Sequence, residues 1–110
     1  MVCPLTVGHH VDHVLTRAAV DRLQRPVPYY ADVPCLLRFP EELPIAARGL
    51  GDTLHPISAR GLAAWQRGVA AYKSQIRMLF GSRPEMRRQI RACLARDHNA
   101  RLWSHPAEQA

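Results

Sequence analysis

The sequence predicts an α/β fold with short strands and about three helices, on three observations. Short apolar runs rich in β-branched or aromatic residues, at 2–7 and 27–33, have the length of buried strands. Apolar residues recur at helical spacing over 12–25, 58–79 and from Ser82 to about Asp97. Gly and Pro punctuate the boundaries, at Gly8, Pro26, Pro56 and Gly81.

Residues 2–7 read as a buried strand closed by Gly8. Val14, Leu15, Ala18, Ala19 and Leu23 then mark the apolar face of a helix that Asp12 can cap and Pro26 stops. Residues 27–33 form the next strand, with Pro28 confined to its first residues or an edge. The segment 34–56 is dense in Pro and Gly and is expected to be irregular, with at most a short strand near 54–57. Ser58 can cap a helix running to about Leu79, with Leu62, Trp65, Val69, Tyr72, Ile76 and Leu79 facing the core. Gly81 closes it, and Ser82 and Glu85 stand at capping-box spacing ahead of a third helix that buries Met86, Ile90, Cys93 and Leu94. A few extended residues at 101–103 precede a polar tail, 104–110, expected to be poorly ordered.

Composition narrows the class. With 110 residues the chain suits one modest domain, and no apolar run approaches the roughly 18 residues of a bilayer span. Residues 1–7 lack the basic and apolar regions of a secretory signal, so a cytoplasmic protein is expected. Three widely spaced cysteines, Cys3, Cys35 and Cys93, argue against a disulfide framework or a thiolate zinc knuckle. The net charge of +6 would suit a polyanion, yet the fifteen basic residues, fourteen of them Arg, are spread from Arg17 to Arg101. That spread reads as residue usage, and Arg83, Arg87, Arg88 and Arg91 as the solvated face of the last helix, so nucleic acid is not an expected partner.

The stretch that carries chemistry is Gly8-His9-His10-Val11-Asp12-His13, which gathers half of the six histidines beside a carboxylate. Imidazole is the commonest metal ligand and titrates near neutrality, and a neighbouring carboxylate can set its tautomer. Ligand sites of open α/β sheets lie at the carboxyl ends of strands, where this loop falls. Tyr30 and Asp32 could border the same pocket. Tyr72, Ser74 and Gln75 are expected to join packing and local hydrogen bonds. Trp65 and Trp103 should act as core or partner-facing aromatics, and His55, His98 and His105 as solvated histidines.

Three pieces in order, Gly8-His9-His10-Val11-Asp12-His13, Tyr29-Tyr30-Ala31-Asp32-Val33-Pro34 and Tyr72-Lys73-Ser74-Gln75 followed by Leu79-Phe80, resemble the C-terminal half of the PIG-L/LmbE-type zinc-dependent de-N-acetylases. The resemblance covers most of residues 2–103 and implies the C-terminal part of a Rossmann-like three-layer fold. It also implies His13 as a zinc ligand, His10 as the group that stabilises or protonates the tetrahedral intermediate, and Asp12 as the carboxylate orienting the His pair. His9 falls where the family varies and receives no role. The Ala-His-Pro-Asp-Asp-Glu segment that supplies the family's other zinc ligands and its general base does not occur in these residues.

In such an enzyme a bound zinc polarises the acetamide carbonyl and lowers the pKa of its water toward about 7. The expected activity is hydrolysis of the acetamide of an N-acetylglucosamine-type sugar conjugate, weak or lost in the isolated chain, with a complementing N-terminal half or a second copy as partner. Three other classes remain open. They are a His-based metal module using His9 and His13 with His55 or His98, a basic nucleic-acid-binding module, and a non-catalytic interaction subunit.

Overall fold

Strand β1, Cys3–Pro4, runs parallel to β2, Tyr29–Tyr30, with Cys3 opposite Tyr29 and Pro4 opposite Tyr30. The Cys3 amide donates to Pro28 O at 3.0 Å and the Leu5 amide to Tyr30 O at 2.9 Å, while Pro4 has no amide to give. The structure, a computed structural model, describes residues 1–33, 35–97 and 99–106. It is a mixed α/β fold whose four-stranded sheet has the order β1-β2-β4-β3, with β3 at Gly51–Pro56 and β4 at Asn99–Ser104. Tyr29 pairs with Trp103 of β4 in antiparallel sense, so the sheet is mixed. The expected strands are present, but the first two are shorter and the third begins earlier, at Gly51. The expected tail is part strand: Ser104 belongs to β4, and 107–110 lie outside the described residues.

The chain divides into two compact units, residues 1–54 with 101–110, and residues 55–100. In the first, alternate residues of the opening segment, Cys3, Leu5 and Val7, are buried with Val27, Tyr29 and Trp103. Residues two apart share one face of a pleated chain, and Pro4 between them is buried as well. Helix α1, Val11–Arg22, connects the parallel strands.

Two expectations about α1 are corrected. His10, not Asp12, is its N-cap, its Nδ1 accepting the Asp12 amide at 3.2 Å, and Asp12 sits in the first turn where its charge meets the positive helix end. Its covered side is lined by His13, Arg17 and Val20, whereas Val14, Leu15, Ala18, Ala19 and Leu23 are exposed, Leu15 at 63%. The reason lies in Arg17. Its guanidinium donates to Leu5 O and Ala46 O, each at 2.9 Å, and stacks 5.0 Å from the centre of the Tyr29 ring. Hydrogen bonds from a charged donor contribute about 1.5–3 kcal/mol each, which rivals burial of an aliphatic side chain.

The segment expected to be irregular instead holds α2, Cys35–Arg38, a 3-10 turn, Pro40–Glu42, and α3, Leu43–Ala46; Pro34 itself lies outside the described residues. Here the prolines start turns, since a ring nitrogen without a hydrogen is tolerated at the first helical positions.

In the second unit Ser58 caps α4, Ala59–Ala70, as expected, accepting the Gly61 amide at 3.0 Å. The single helix expected over 58–79 is two. The Tyr72 amide turns back to Val69 O at 3.1 Å, Tyr72 leaves the helical region with ψ 64°, and α5, Lys73–Phe80, starts afresh. Tyr72 is therefore 70% exposed, not core-facing, and α5 buries Ile76 and Phe80 one turn apart. Gly81, at φ 92°, closes α5 by donating to Arg77 O and Ile76 O. Helix α6, Arg83–Asp97, starts with the Glu85 amide on the Ser82 hydroxyl, the expected half of a capping box, and fully buries Met86 and Ile90. Gln66, a buried polar residue not foreseen, ties α4 to α6 by donating to Arg87 O at 3.0 Å. Among the described residues there are thus six α-helical segments where about three were expected, and no helix is long and apolar enough to cross a membrane.

Candidate functional site

The link from β1 to α1 is held in a rare backbone shape. Thr6, Gly8 and His9 all have positive φ, at 72°, 88° and 54°. Gly8 adopts this freely, but for a β-branched residue such as Thr6 it is a true outlier, and such strain persists only where surrounding contacts impose it. One carboxylate holds two of the three residues. Glu42, at the end of the 3-10 turn, accepts the Gly8 amide on Oε2 at 3.1 Å and has Oε1 2.6 Å from His9 Nε2.

The clamp aims successive histidines in different directions. His9 lies against Glu42 ahead of the helix, so it does not share a helical face with His13, as a metal module built on that pair would require. His10 and His13 come together, with ring centroids 5.0 Å apart and planes inclined by 41°. Because His10 Nδ1 accepts the Asp12 amide, neutral His10 carries its proton on Nε2, free to donate outward. The Asp12 carboxylate stands farther off, at 3.9 Å from Nδ1, so the shorter contact orienting His10 is a backbone amide.

His13 is the most enclosed of the three. Its Nε2 is 3.3 Å from Asp32 Oδ2, and its Nδ1 is buried without a hydrogen-bond partner. A buried imidazole nitrogen with nothing to bind is an uncommon, costly arrangement and fits a donor atom held for a further group. Among the described residues no three His, Cys, Asp or Glu side chains are grouped to hold a metal ion by themselves. Tyr30, adjacent to this carboxylate, has its phenol pushed up, by burial first and by the Asp32 charge second.

Beside the histidines a cavity of about 340 Å³ opens, lined by Thr6, His9, Arg17, Glu42, Ala46 and Arg48. Below it, Tyr29 donates to Asp21 at 2.8 Å, and burial together with that bond pushes its phenol up to about 12. Cys3 is likewise raised, chiefly by burial. Neither group is shaped to ionise near neutral pH, so they serve packing. The structure places His10, Asp12, His13 and Asp32 around one loop and strand end, together with Glu42 and Arg17, which sequence reasoning did not single out. Arg17 had a detectable signal, one helical turn after His13, whereas Glu42 is 34 residues from Gly8 and had none. Of the solvated histidines expected, His55 and His105 are exposed, and His98 lies outside the described residues.

Comparison with protein-family models, with curated proteins and with solved structures gave no match.

Proposed function

We propose that the chain forms the C-terminal half of a zinc-dependent N-deacetylase site of the PIG-L/LmbE type, within a Rossmann-like fold and a cytoplasmic protein. The supporting observation is the pairing of His10 and His13, 5.0 Å apart at the start of α1 and just beyond a strand that runs parallel to its neighbour. Parallel strand, loop and helix form the arrangement in which open α/β sheets hold ligands. On this proposal His13 donates one nitrogen to zinc, and the remaining ligands and the general base come from a segment outside these residues. The metal, when bound, would polarise an acetamide carbonyl of an N-acetylated sugar conjugate. His10 would stabilise the oxyanion by a hydrogen bond from Nε2–H, the tautomer the Asp12 amide favours, and as a cation it would pass one proton from Nε2 to the leaving amine, ending neutral, while the general base holds the proton taken from water.

Zinc titration of the chain, alone and joined to an Ala-His-Pro-Asp-Asp-Glu-bearing segment, tests this. Weak binding alone, tight binding when joined, loss of zinc in His13→Ala, and retained zinc with reduced turnover in His10→Ala are expected. Tight one-to-one binding by the chain alone that survives His13→Ala would overturn it.

A further inference from the structure

The excess charge of the chain is not spread over the fold. Residues 55–100 contain nine Arg or Lys and two Asp or Glu, a formal charge of +7, while the other unit is close to neutral at −1. Folding then sorts those residues by helix. Arg60 and Arg67, two turns apart, lie along α4, and Lys73 and Arg77, one turn apart, along α5. Arg83, Arg87 and Arg91 repeat at four-residue spacing along α6. All seven are exposed, and among the described residues none has an acidic partner. Arg88 is the exception, held by Glu85.

Where α4 ends and α5 begins, an open cleft of about 660 Å³ is lined by Trp65, Gly68, Val69, Ala71 and Tyr72. The break between α4 and α5 that exposes Tyr72 lies at this cleft, and Gly68 is one of its exposed lining residues, where a Cβ would meet nothing within 4 Å. This open cleft carries two aromatic side chains, with Arg67 and Lys73 next in sequence to Gly68 and Tyr72 of its lining, and so combines a face for a flat ring with charges for phosphate.

We propose that this helical unit binds single-stranded nucleic acid, with phosphates on the basic rows and a base stacked in the Trp65–Tyr72 cleft. A duplex keeps its bases stacked on one another and offers none to the slot, so the single strand is the form that fits. An anionic membrane surface shares the charge requirement, but a membrane-binding helix needs a free apolar face to enter lipid. Here Ile76 and Phe80 of α5 and Met86 and Ile90 of α6 are buried within the unit, and Met78, 69% exposed, is a single large apolar side chain and not a face. Guanidinium, which supplies eight of the nine basic groups, also pairs with phosphate in a bidentate manner and stacks on bases. Neither the histidine site nor its chemistry is needed for this inference.

The test uses the full chain and a labelled mixed-sequence single strand of about 20 nucleotides, longer than the ~4–16 nucleotides that one small binding site covers. Fluorescence anisotropy should show binding whose logarithm falls linearly with the logarithm of salt, by about 0.7 for each phosphate neutralised. Arg67→Glu combined with Arg77→Glu should weaken binding about tenfold or more, through loss of phosphate contacts. Arg22→Glu with Arg25→Glu, the same charge change in the other unit, should have a far smaller effect. Tyr72→Ala should weaken binding roughly 5- to 150-fold, the range for one stacked base, and Tyr72→Phe should restore it. No salt-sensitive binding by the folded chain, or equal loss from the two charge reversals, would overturn the proposal. So would sedimentation with phosphatidylserine vesicles that the oligonucleotide fails to compete.

Discussion

His9 Nε2 lies 2.6 Å from one oxygen of Glu42, and the other oxygen of that carboxylate accepts the Gly8 amide at 3.1 Å. One side chain from the 3-10 turn therefore holds both residues that precede the His10 cap. Glu42→Ala should lower unfolding free energy by about 1–3 kcal/mol, the cost of losing a hydrogen bond to a charged group. Glu41→Ala, at an exposed neighbour, should stay within about 0.5 kcal/mol. Urea denaturation reads both, and faster amide exchange at Gly8 in Glu42→Ala alone would locate the effect. Equal losses in the two variants would remove the clamp from the account of this loop.

Two residues before Gly8, Thr6 lies in a backbone region that costs an L-residue roughly 1–2 kcal/mol. Glycine relieves that cost and returns part of it through greater freedom in the unfolded chain, about 0.5–1 kcal/mol. Thr6→Gly is thus expected to stabilise the protein by up to about 1 kcal/mol, whereas Thr6→Val, which keeps the strain, gains nothing. A loss above about 1 kcal/mol in Thr6→Gly would show that the threonine side chain does more for the fold than its backbone costs.

Tyr29 couples the sheet to α1 through Asp21 and Arg17. Its phenol titrates at about 12 in the fold against an ordinary value of 10.0, because burial first, and the Asp21 contact second, favour the neutral form. The folded value is raised, so the stabilisation is complete below pH 10 and is lost as pH rises through 10 toward and past 12. Denaturant midpoints of the native protein should fall across that window, while Tyr29→Phe starts lower and stays flatter. Absorbance of the phenolate checks the titration directly, and a Tyr29 that ionises at its ordinary value would contradict the hydrogen-bonded geometry.

What could be read in the sequence was local. The Ser58 cap, the Gly81 stop and the Ser82 start each depend on residues within one turn, and each stands where spacing placed it. The strand, His loop and helix order is likewise a matter of adjacent residues. Periodicity failed where the answer depended on distant atoms. It identified Val14, Leu15, Ala18 and Leu23 as one face of α1, but could not know that Arg17 would find carbonyls at Leu5 and Ala46 and turn the opposite face inward. It drew Tyr72 into a core stripe because the register fits, although the backbone leaves the helix there. For the candidate site the histidines are visible in the sequence, while the glutamate that holds Gly8 and His9 is contributed by a segment whose prolines suggested no regular structure.

Glu85 provides a prediction with the opposite pH sign from Tyr29. Its carboxylate accepts hydrogen bonds from Arg88 and, at 3.0 Å, from Gln89, while its own amide rests on the Ser82 hydroxyl at 3.2 Å. The Arg88 contact, with Gln89 second, holds it down at about 2, against an ordinary 4.5. A depressed carboxylate contributes above its unfolded value and ceases to contribute as pH falls from 4.5 through about 2. The start of α6 should therefore keep its helicity down to lower pH than an unpaired carboxylate would allow, and Arg88→Ala should move the Glu85 midpoint up toward 4.5. Carboxyl-carbon NMR titration gives that midpoint, and α6 amide protection between pH 5 and 2 gives its consequence. Both partners meet solvent, so added salt should weaken the effect and the stability change should be small. If the midpoint stays near 2 in Arg88→Ala, the Gln89 contact, and not the ion pair, holds the carboxylate charged.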